Sequence, residues 1–204
     1  MDEPLTKAEA LETLTMLCDL PVWLAGGIGA DFHVGRWTRD HHDVDLVAFE
    51  DDHGALFDEL TKRGFVMTHD DLWISRWTRR ARHVGEVSLA ILRRVDDSTG
   101  DLVITPEGSR GGRITTGVFP GVPGNLDVDA WRTLEGVRFR VCSAEDEWVY
   151  THSFSASRPG ARLGATDRHN LALLEEVLSE EERERLRPLI GRHRPLEEID
   201  AQSE

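Results

Sequence analysis

Two aspartates, Asp43 and Asp45, stand two residues apart at the mouth of a β-forming run, Asp43-Val44-Asp45-Leu46-Val47-Ala48-Phe49. Side chains along a strand alternate between faces, so both carboxylates project from one face, about 6 to 7 Å apart. Parallel carboxylates repel unless a cation lies between them, and an all-oxygen donor set selects Mg²⁺ or Mn²⁺. An isolated D-x-D is equally the solvated end of a strand, so the pair gains meaning only from its neighbours. Upstream, Gly26-Gly27 follows a short apolar run and precedes a helix-forming one. Glycines at such a corner let the backbone approach a phosphate, and the helix that follows offers unpaired amides and a positive dipole end, so the corner suits a triphosphate. Between the two features lies Thr38-Arg39-Asp40-His41-His42. Arg39 and one or both histidines are placed to contact phosphate oxygens or to steady the metal-binding carboxylates. His41 and His42 with Asp43 also have the donor types of a zinc site, but no second cluster stands at ligand spacing.

The elements that must position these groups can be read from periodicity and breakers. Thr6-Lys7-Ala8-Glu9 has capping-box spacing, and Ala10, Leu11, Leu14, Leu17 and Cys18 recur at helical intervals, which predicts a helix to about Asp19. Pro21 stops it, Val22 to Ala25 suits a buried strand, and residues 28 to 34 suit a short helix ended by Gly35. After the aspartate strand, Ala55, Leu56 and Leu60 mark a helix closed by Gly64, and Phe65 to Thr68 reads as a strand. Trp73 to Arg79 and Glu86 to Leu92 read as two strands joined across a basic stretch. In the second, Val87, Leu89 and Ile91 face one way and Glu86, Ser88 and Ala90 the other. Gly108 to Asn125 is glycine- and proline-rich without periodicity and reads as a long loop or irregular hairpin. Val137 to Val141 is the last expected strand. Ser143 then caps a helix carrying Trp148, Val149 and His152, and further helices follow around Leu171, Leu174 and Leu178 and after Ser179. The composition changes from strand-forming to helix-forming near Val141, which predicts an α/β part over 1–141 and a helical region over 142–204.

Size and charge limit the function classes. The chain has 204 residues, 39% hydrophobic and 30% charged, enough for one core with a helical appendage, and no apolar tract long enough to span a bilayer. The start, Met1-Asp2-Glu3-Pro4, lacks a basic then apolar leader, so a cytoplasmic protein without membrane association is expected. Cys18 and Cys142 stand far apart and are expected to be packed thiols. With 24 Lys+Arg against 38 Asp+Glu the formal charge is -14, which repels phosphate backbones, so duplex nucleic acid is not an expected partner. A polycationic substrate is compatible with that surface.

The segments from Trp23 to Asp31, Gly35 to Arg39 and His41 to Leu46 together resemble the motif of small-molecule nucleotidyltransferases of the aminoglycoside 2''-O-nucleotidyltransferase and lincosamide nucleotidyltransferase type. The resemblance is dense from about Leu20 to Ala48 and continues collinearly through Gly136 to Val141 and Asp167 to Asn170. It implies an α+β, polymerase-β-like nucleotidyltransferase fold: a small mixed sheet flanked by helices and followed by a helical region. It also implies that Gly26 and Gly27 line the triphosphate of ATP or another nucleoside triphosphate, that Arg39 neutralises it, with His41 beside it, and that Asp43 and Asp45 bind Mg²⁺, possible as two ions.

The family usually presents a third acid on a neighbouring strand, and here that place falls on Ser88. Glu86, two residues earlier on the same face, is the expected substitute, as a metal ligand or as the group that takes the acceptor's proton. The expected reaction is in-line transfer of a nucleoside monophosphate, AMP in the first instance, to a hydroxyl of a small acceptor such as an aminoglycoside or lincosamide. The competing readings are a member of the fold acting on protein or RNA, and one that binds a nucleotide or ligand without catalysis. Asp167 and its neighbours open a helix, where an acid is favoured on dipole grounds alone, and lie outside the expected site.

Overall fold

A computed structural model describes residues 4–49, 52–71, 74–78, 86–94, 102–104, 117–119, 130–156, 163–191 and 194–195. The basic stretch 79–85 and most of the expected loop 108–125 lie outside the described residues. The chain runs α1 (Lys7–Leu17), β1 (Trp23–Leu24), α2 (Gly26–Val34), β2 (Asp43–Phe49), α3 (His53–Lys62), β3 (Val66–Asp71), β4 (Ile74–Thr78), β5 (Glu86–Arg94), β6 (Leu102–Ile104), β7 (Gly117–Phe119), β8 (Trp131–Leu134), β9 (Val137–Arg140), α4 (Ala144–Ala156), α5 (Ala165–Val177), α6 (Glu180–Leu186) and β10 (Arg194–Pro195).

The central feature is β2 paired in parallel with β5, from Asp43 opposite Glu86 through Asp45 opposite Ser88 to Phe49 opposite Leu92. Val44, Leu46 and Ala48 are buried, as are Val87 and Leu89 beside them, so period-two alternation turns one face of both strands into the core. Asp43 and Asp45 therefore share the opposite face, and Glu86 and Ser88 occupy the matching register positions. On the far edge of β5, β4 pairs antiparallel along Val87 to Ala90, while β6 pairs with Leu92 to Arg94, so the sheet divides there. On the near edge of β2 lies β1, antiparallel and only two residues long, with Leu24 opposite Leu46.

The apolar interior forms two clusters. One gathers α1 (Ala10, Leu14, Leu17), the buried faces of β2 and β5, Leu56 and Leu60 of α3, and Phe139 and Val141 at the end of β9. The other packs Trp148 and Val149 of α4 against Leu171, Leu173 and Leu174 of α5 and Leu186 of α6. Helix α2 serves both, because Ile28 and Phe32 enter the first and Ala30 the second. The sequence reading of α1 holds in detail: Thr6 accepts from the Glu9 amide while the Glu9 carboxylate returns to the Thr6 amide at 3.1 Å. Ser143 caps α4 likewise, its Oγ accepting from the Asp146 amide at 3.0 Å.

The structure departs from the expected elements in several places: β6 at 102–104 adds a strand, β7 at 117–119 falls within the expected loop, and β10 at 194–195 follows the strand expected to be last and lies within the expected helical region. Helix α2 begins at Gly26 and not near Ile28, since glycine in the first turn is tolerated once tertiary packing holds the turn. The hairpin partner of β9, Trp131–Leu134, carries no apolar alternation of its own and was not anticipated.

Helix α2 lies close to β1. A Cβ built on Gly29 would stand 3.3 Å from the Leu24 carbonyl oxygen and 3.7 Å from Val141 Cγ1, and Leu24 O is itself bonded to the Cys142 amide at 2.9 Å. That carbonyl has no freedom to move. Gly29→Val is expected to destabilise the chain by about 1 to 3 kcal/mol through overpacking, measured by urea unfolding. An unchanged midpoint would show that α2 can shift away from β1.

Candidate functional site

Strand β2 delivers its two aspartates to the point where β1 turns into α2. The Ala25 amide donates to the Asp45 carbonyl at 2.9 Å, which carries the chain directly over the aspartate before the helix starts. Gly26 then takes φ of 65°, in the left-handed region. A Cβ there would fall 2.2 Å from Asp45 Oδ2 and 3.0 Å from its Cγ, so only glycine fits between the helix start and the carboxylate. At Gly27 the neighbours are different: a Cβ would fall 2.2 Å from Arg39 Nη2 and 2.9 Å from His41 Nδ1. The two glycines thus lie against an acidic and a basic group, and Gly26, Gly27, Arg39, His41 and Asp45 come together at this corner. Asp43 lies two residues along β2 on the same face, with Glu86 beside it in register.

Arg39 is held without being saturated. Its Nη1 donates to the Asp40 carbonyl at 2.8 Å and Nη2 reaches Asn170 Oδ1 only at 3.5 Å. Its Nε is buried and has no hydrogen-bond partner among the described residues. A buried guanidinium N–H of this kind is a donor waiting for an acceptor. An anion above Gly27 would fit.

The first-turn amides of α2 also need acceptors, because Ala25 at the N-cap brings no side-chain oxygen. The Gly26 amide finds one in Glu147 of α4, at 3.2 Å to Oε2. The amide expected to face phosphate therefore already carries a carboxylate. Burial pushes Glu147 up to about 7; the Gly26 amide pulls it down by less, and the Asp146 charge adds a small upward push. Glu147 was not singled out in the sequence. It sits among acidic residues opening a helix, where nothing local distinguishes a buried carboxylate from a solvated one.

Beneath the basic half lies another carboxylate that sequence reasoning missed. Asp31, fully buried on α2, accepts from the Thr38 amide at 3.1 Å, the Thr38 hydroxyl at 2.5 Å and His41 Nε2 at 2.9 Å. His41 is also fixed by its carbonyl, which accepts from the Leu5 amide, and by the edge of Trp37 at 4.8 Å. With Nε2–H given to Asp31, Nδ1 is the ring atom that faces the corner. His169 Nε2 lies 2.9 Å from the Thr38 hydroxyl, so the helical region also reaches the site. Asp167 only caps α5, accepting from the Gly164 amide at 2.9 Å. Among the described residues no group of three or more His, Cys, Asp or Glu is arranged to hold a metal, so the zinc alternative at His41 and His42 gains no support. Asp43 and Asp45, on one face of β2, bring carboxylate oxygens, the donor type that a hard divalent cation takes.

A glycine-opened helix resting on a strand that leads with two aspartates is the arrangement of the nucleotidyltransferase fold, and the chain is a nucleotidyltransferase. It matches the model of the aminoglycoside-2''-adenylyltransferase family over residues 9–174 and belongs to that family. Among curated proteins no sequence matches it. Among solved structures, the lincosamide antibiotic adenylyltransferase LnuA with lincomycin bound superposes with a TM-score of 0.57 at 18% identity, covering 86% of this chain and 100% of its own. The aminoglycoside enzyme ANT(2'')-Ia in complex with adenylyl-2''-tobramycin gives 0.60 at 18% identity, covering 90% and 94%. An antigenic nucleotidyltransferase-like protein from Paracoccidioides brasiliensis gives 0.50 at 16% identity, covering 92% and 90%. At these identities the likeness speaks for the fold.

Two consequences are measurable. Gly26→Ala must either abandon its left-handed φ or push Asp45 aside, and is expected to cost about 1 to 3 kcal/mol of stability, read by chemical denaturation. For Glu147, the folded-state value near 7 lies above the ordinary 4.5. The folded chain therefore holds the proton more tightly than the unfolded one. The stabilisation is full below pH 4.5 and is lost as pH rises through 7, on the order of 3 kcal/mol in all. Glu147→Gln removes this dependence, so the variant should gain on the wild type between pH 5 and pH 8; a pH-independent difference would show that Glu147 is not desolvated.

Proposed function

We propose that the chain transfers a nucleoside monophosphate, AMP in the first instance, from a nucleoside triphosphate to a hydroxyl of a small antibiotic of the aminoglycoside or lincosamide type, releasing pyrophosphate. The family assignment and the acceptors named for the two similar antibiotic enzymes support this reading. The observation that carries it is the corner itself, with Asp45 against Gly26 and an unsaturated Arg39 against Gly27. Carboxylates able to hold a cation and a donor able to hold a phosphate meet across one helix turn.

Each residue has a role in this proposal. Gly26 and Gly27 let the triphosphate approach the backbone; Arg39 takes charge from it, and His41, oriented by Asp31, offers Nδ1 at the same edge. Asp43 and Asp45 hold Mg²⁺, with Glu86 as a further ligand or as the base, and the bound cation supplies charge neutralisation at the reacting phosphate. The acceptor oxygen forms a bond to the α-phosphorus as the bond to the bridging oxygen of pyrophosphate breaks, and the acceptor proton passes to the Glu86 carboxylate. Most of the acceleration then comes from positioning and charge neutralisation. Helices α4, α5 and α6 would shape the acceptor side. The net charge of -14 suits a cationic acceptor and disfavours duplex nucleic acid. No helix among the described residues is long and apolar enough to cross a membrane. A cytoplasmic location, where nucleoside triphosphates and Mg²⁺ are supplied, belongs to the same proposal.

One observation favours a second reading. Ser88, not an acid, stands beside Asp45 in the register, which is compatible with a member of the fold that binds a nucleotide without turnover. Incubation with Mg²⁺, the four nucleoside triphosphates and an antibiotic panel, followed by mass spectrometry, separates the two: an added nucleotidyl mass is expected. Asp43→Asn and Asp45→Asn should each lower that transfer by about 10²-fold or more with the fold intact, and chelation of the metal should abolish it. A near-normal rate in purified Asp45→Asn would remove the assignment, and nucleotide binding with no product on any acceptor would establish the second reading.

A further inference from the structure

We propose that helix α5 sets the geometry of the nucleotide corner, with His169 as a positioning residue that acts through Thr38 and Asp31 on Arg39 and His41. This rests on the nucleotidyl-transfer reading above and extends it to residues outside the strand and glycine motifs. The hydroxyl of Thr38 has one proton, and that proton goes to Asp31 Oδ1 at 2.5 Å, since the carboxylate only accepts. The contact at 2.9 Å with His169 must then run the other way, with His169 Nε2–H donating to the Thr38 oxygen. The result is a directed chain of hydrogen bonds from α5 to α2: His169 to Thr38, Thr38 to Asp31, with His41 donating to the other Asp31 oxygen at 2.9 Å. Every donor in it has one acceptor, so removing a member leaves a buried carboxylate or hydroxyl short of a partner.

The chain brackets the one segment that must present Arg39. Thr38 precedes the arginine and His41 follows it two residues later, so both flanks of the arginine are tied to the same buried carboxylate. Asn170, next to His169, touches the guanidinium itself at 3.5 Å. The Arg36 guanidinium adds an exposed ion pair to Glu176, about two turns further along α5, at 2.6 Å. Exposed pairs of that kind contribute little, so the part-buried Thr38–His169 contact is the one that matters. These tethers stop short of filling the guanidinium, whose buried Nε keeps no partner among the described residues. The arginine is thus aimed by α5 and left with a donor to spare, as a group poised for an anion requires.

The test uses the full chain and equilibrium binding of Mg²⁺-ATP, with the other three nucleoside triphosphates in parallel. Thr38→Val and His169→Leu are expected to weaken nucleotide binding about tenfold each, the effect of one hydrogen bond. Thr38→Ser and His169→Gln, which keep the hydroxyl and the donor, should stay within about threefold of the wild type. The Thr38→Val/His169→Leu double variant should be no weaker than the weaker single variant, because both break the same chain. In turnover at saturating nucleotide, the acceptor KM should be unchanged in His169→Leu. Should Thr38→Val fail to fold, the His169 pair decides the matter alone. Wild-type affinity in His169→Leu, or equal losses in His169→Leu and His169→Gln, would overturn the positioning role and leave the proposed function standing. A wild-type chain that binds none of the four nucleotides would remove both.

Discussion

The approach of the first turn of α2 onto β2 is the constraint on which the rest of the structure depends. A helix normally keeps its backbone a side chain's depth away from a sheet, but here the Gly26 Cα lies directly over the carboxylate of Asp45. The approach requires a residue without Cβ, a left-handed φ at the helix start and a strand short enough to end before the aspartate, which is why β1 has two residues. It also requires α2 to be held from behind. Ile28 and Phe32 in one core and Ala30 in the other clamp the helix between the sheet and the α4–α5 pair. Fixed on both sides, α2 presents its N-terminal turn to the aspartates at a distance that a loop-borne glycine pair would not maintain.

Charge is distributed around that turn in a way the overall composition hides. The surface is strongly acidic, yet within the site acidic and basic groups are separated by a single peptide unit: Asp45 and Glu147 lie against Gly26, and Arg39 and His41 lie against Gly27. Glu147 fills the place of an anion at the helix start, and the positive end of α2 accounts for why a carboxylate tolerates burial there at all. Burial nevertheless outweighs that compensation and holds its carboxyl well above the usual range, so the corner accommodates a proton readily. A helix start that already carries a carboxylate is suited to exchanging one anion for another.

Much of this was legible in the residues. Alternation placed Asp43 and Asp45 on one face and Val87 and Leu89 in the core, and the capping residues Thr6 and Ser143 set the starts of α1 and α4, because each depends only on neighbours a few residues away. The groups that escaped detection depend on distant partners. Asp31 reads as the polar face of a helix until the chain returns at Thr38 and His41 to supply three donors. Glu147 and His169 lie more than a hundred residues from the groups they touch. Burial of a charged side chain is set by tertiary contacts and leaves no periodic trace in sequence.

The register between β2 and β5 shows how a two-residue displacement alters a carboxylate set. Neighbouring strands lie about 4.8 Å apart, so Ser88 and Glu86 stand at that spacing from Asp45 and Asp43 respectively. The acid is therefore moved two residues toward the mouth of β5, beside the aspartate farther from Gly26. In the proposed reading, that register makes Glu86, and not Ser88, the acid that the neighbouring strand offers beside the aspartate pair of β2.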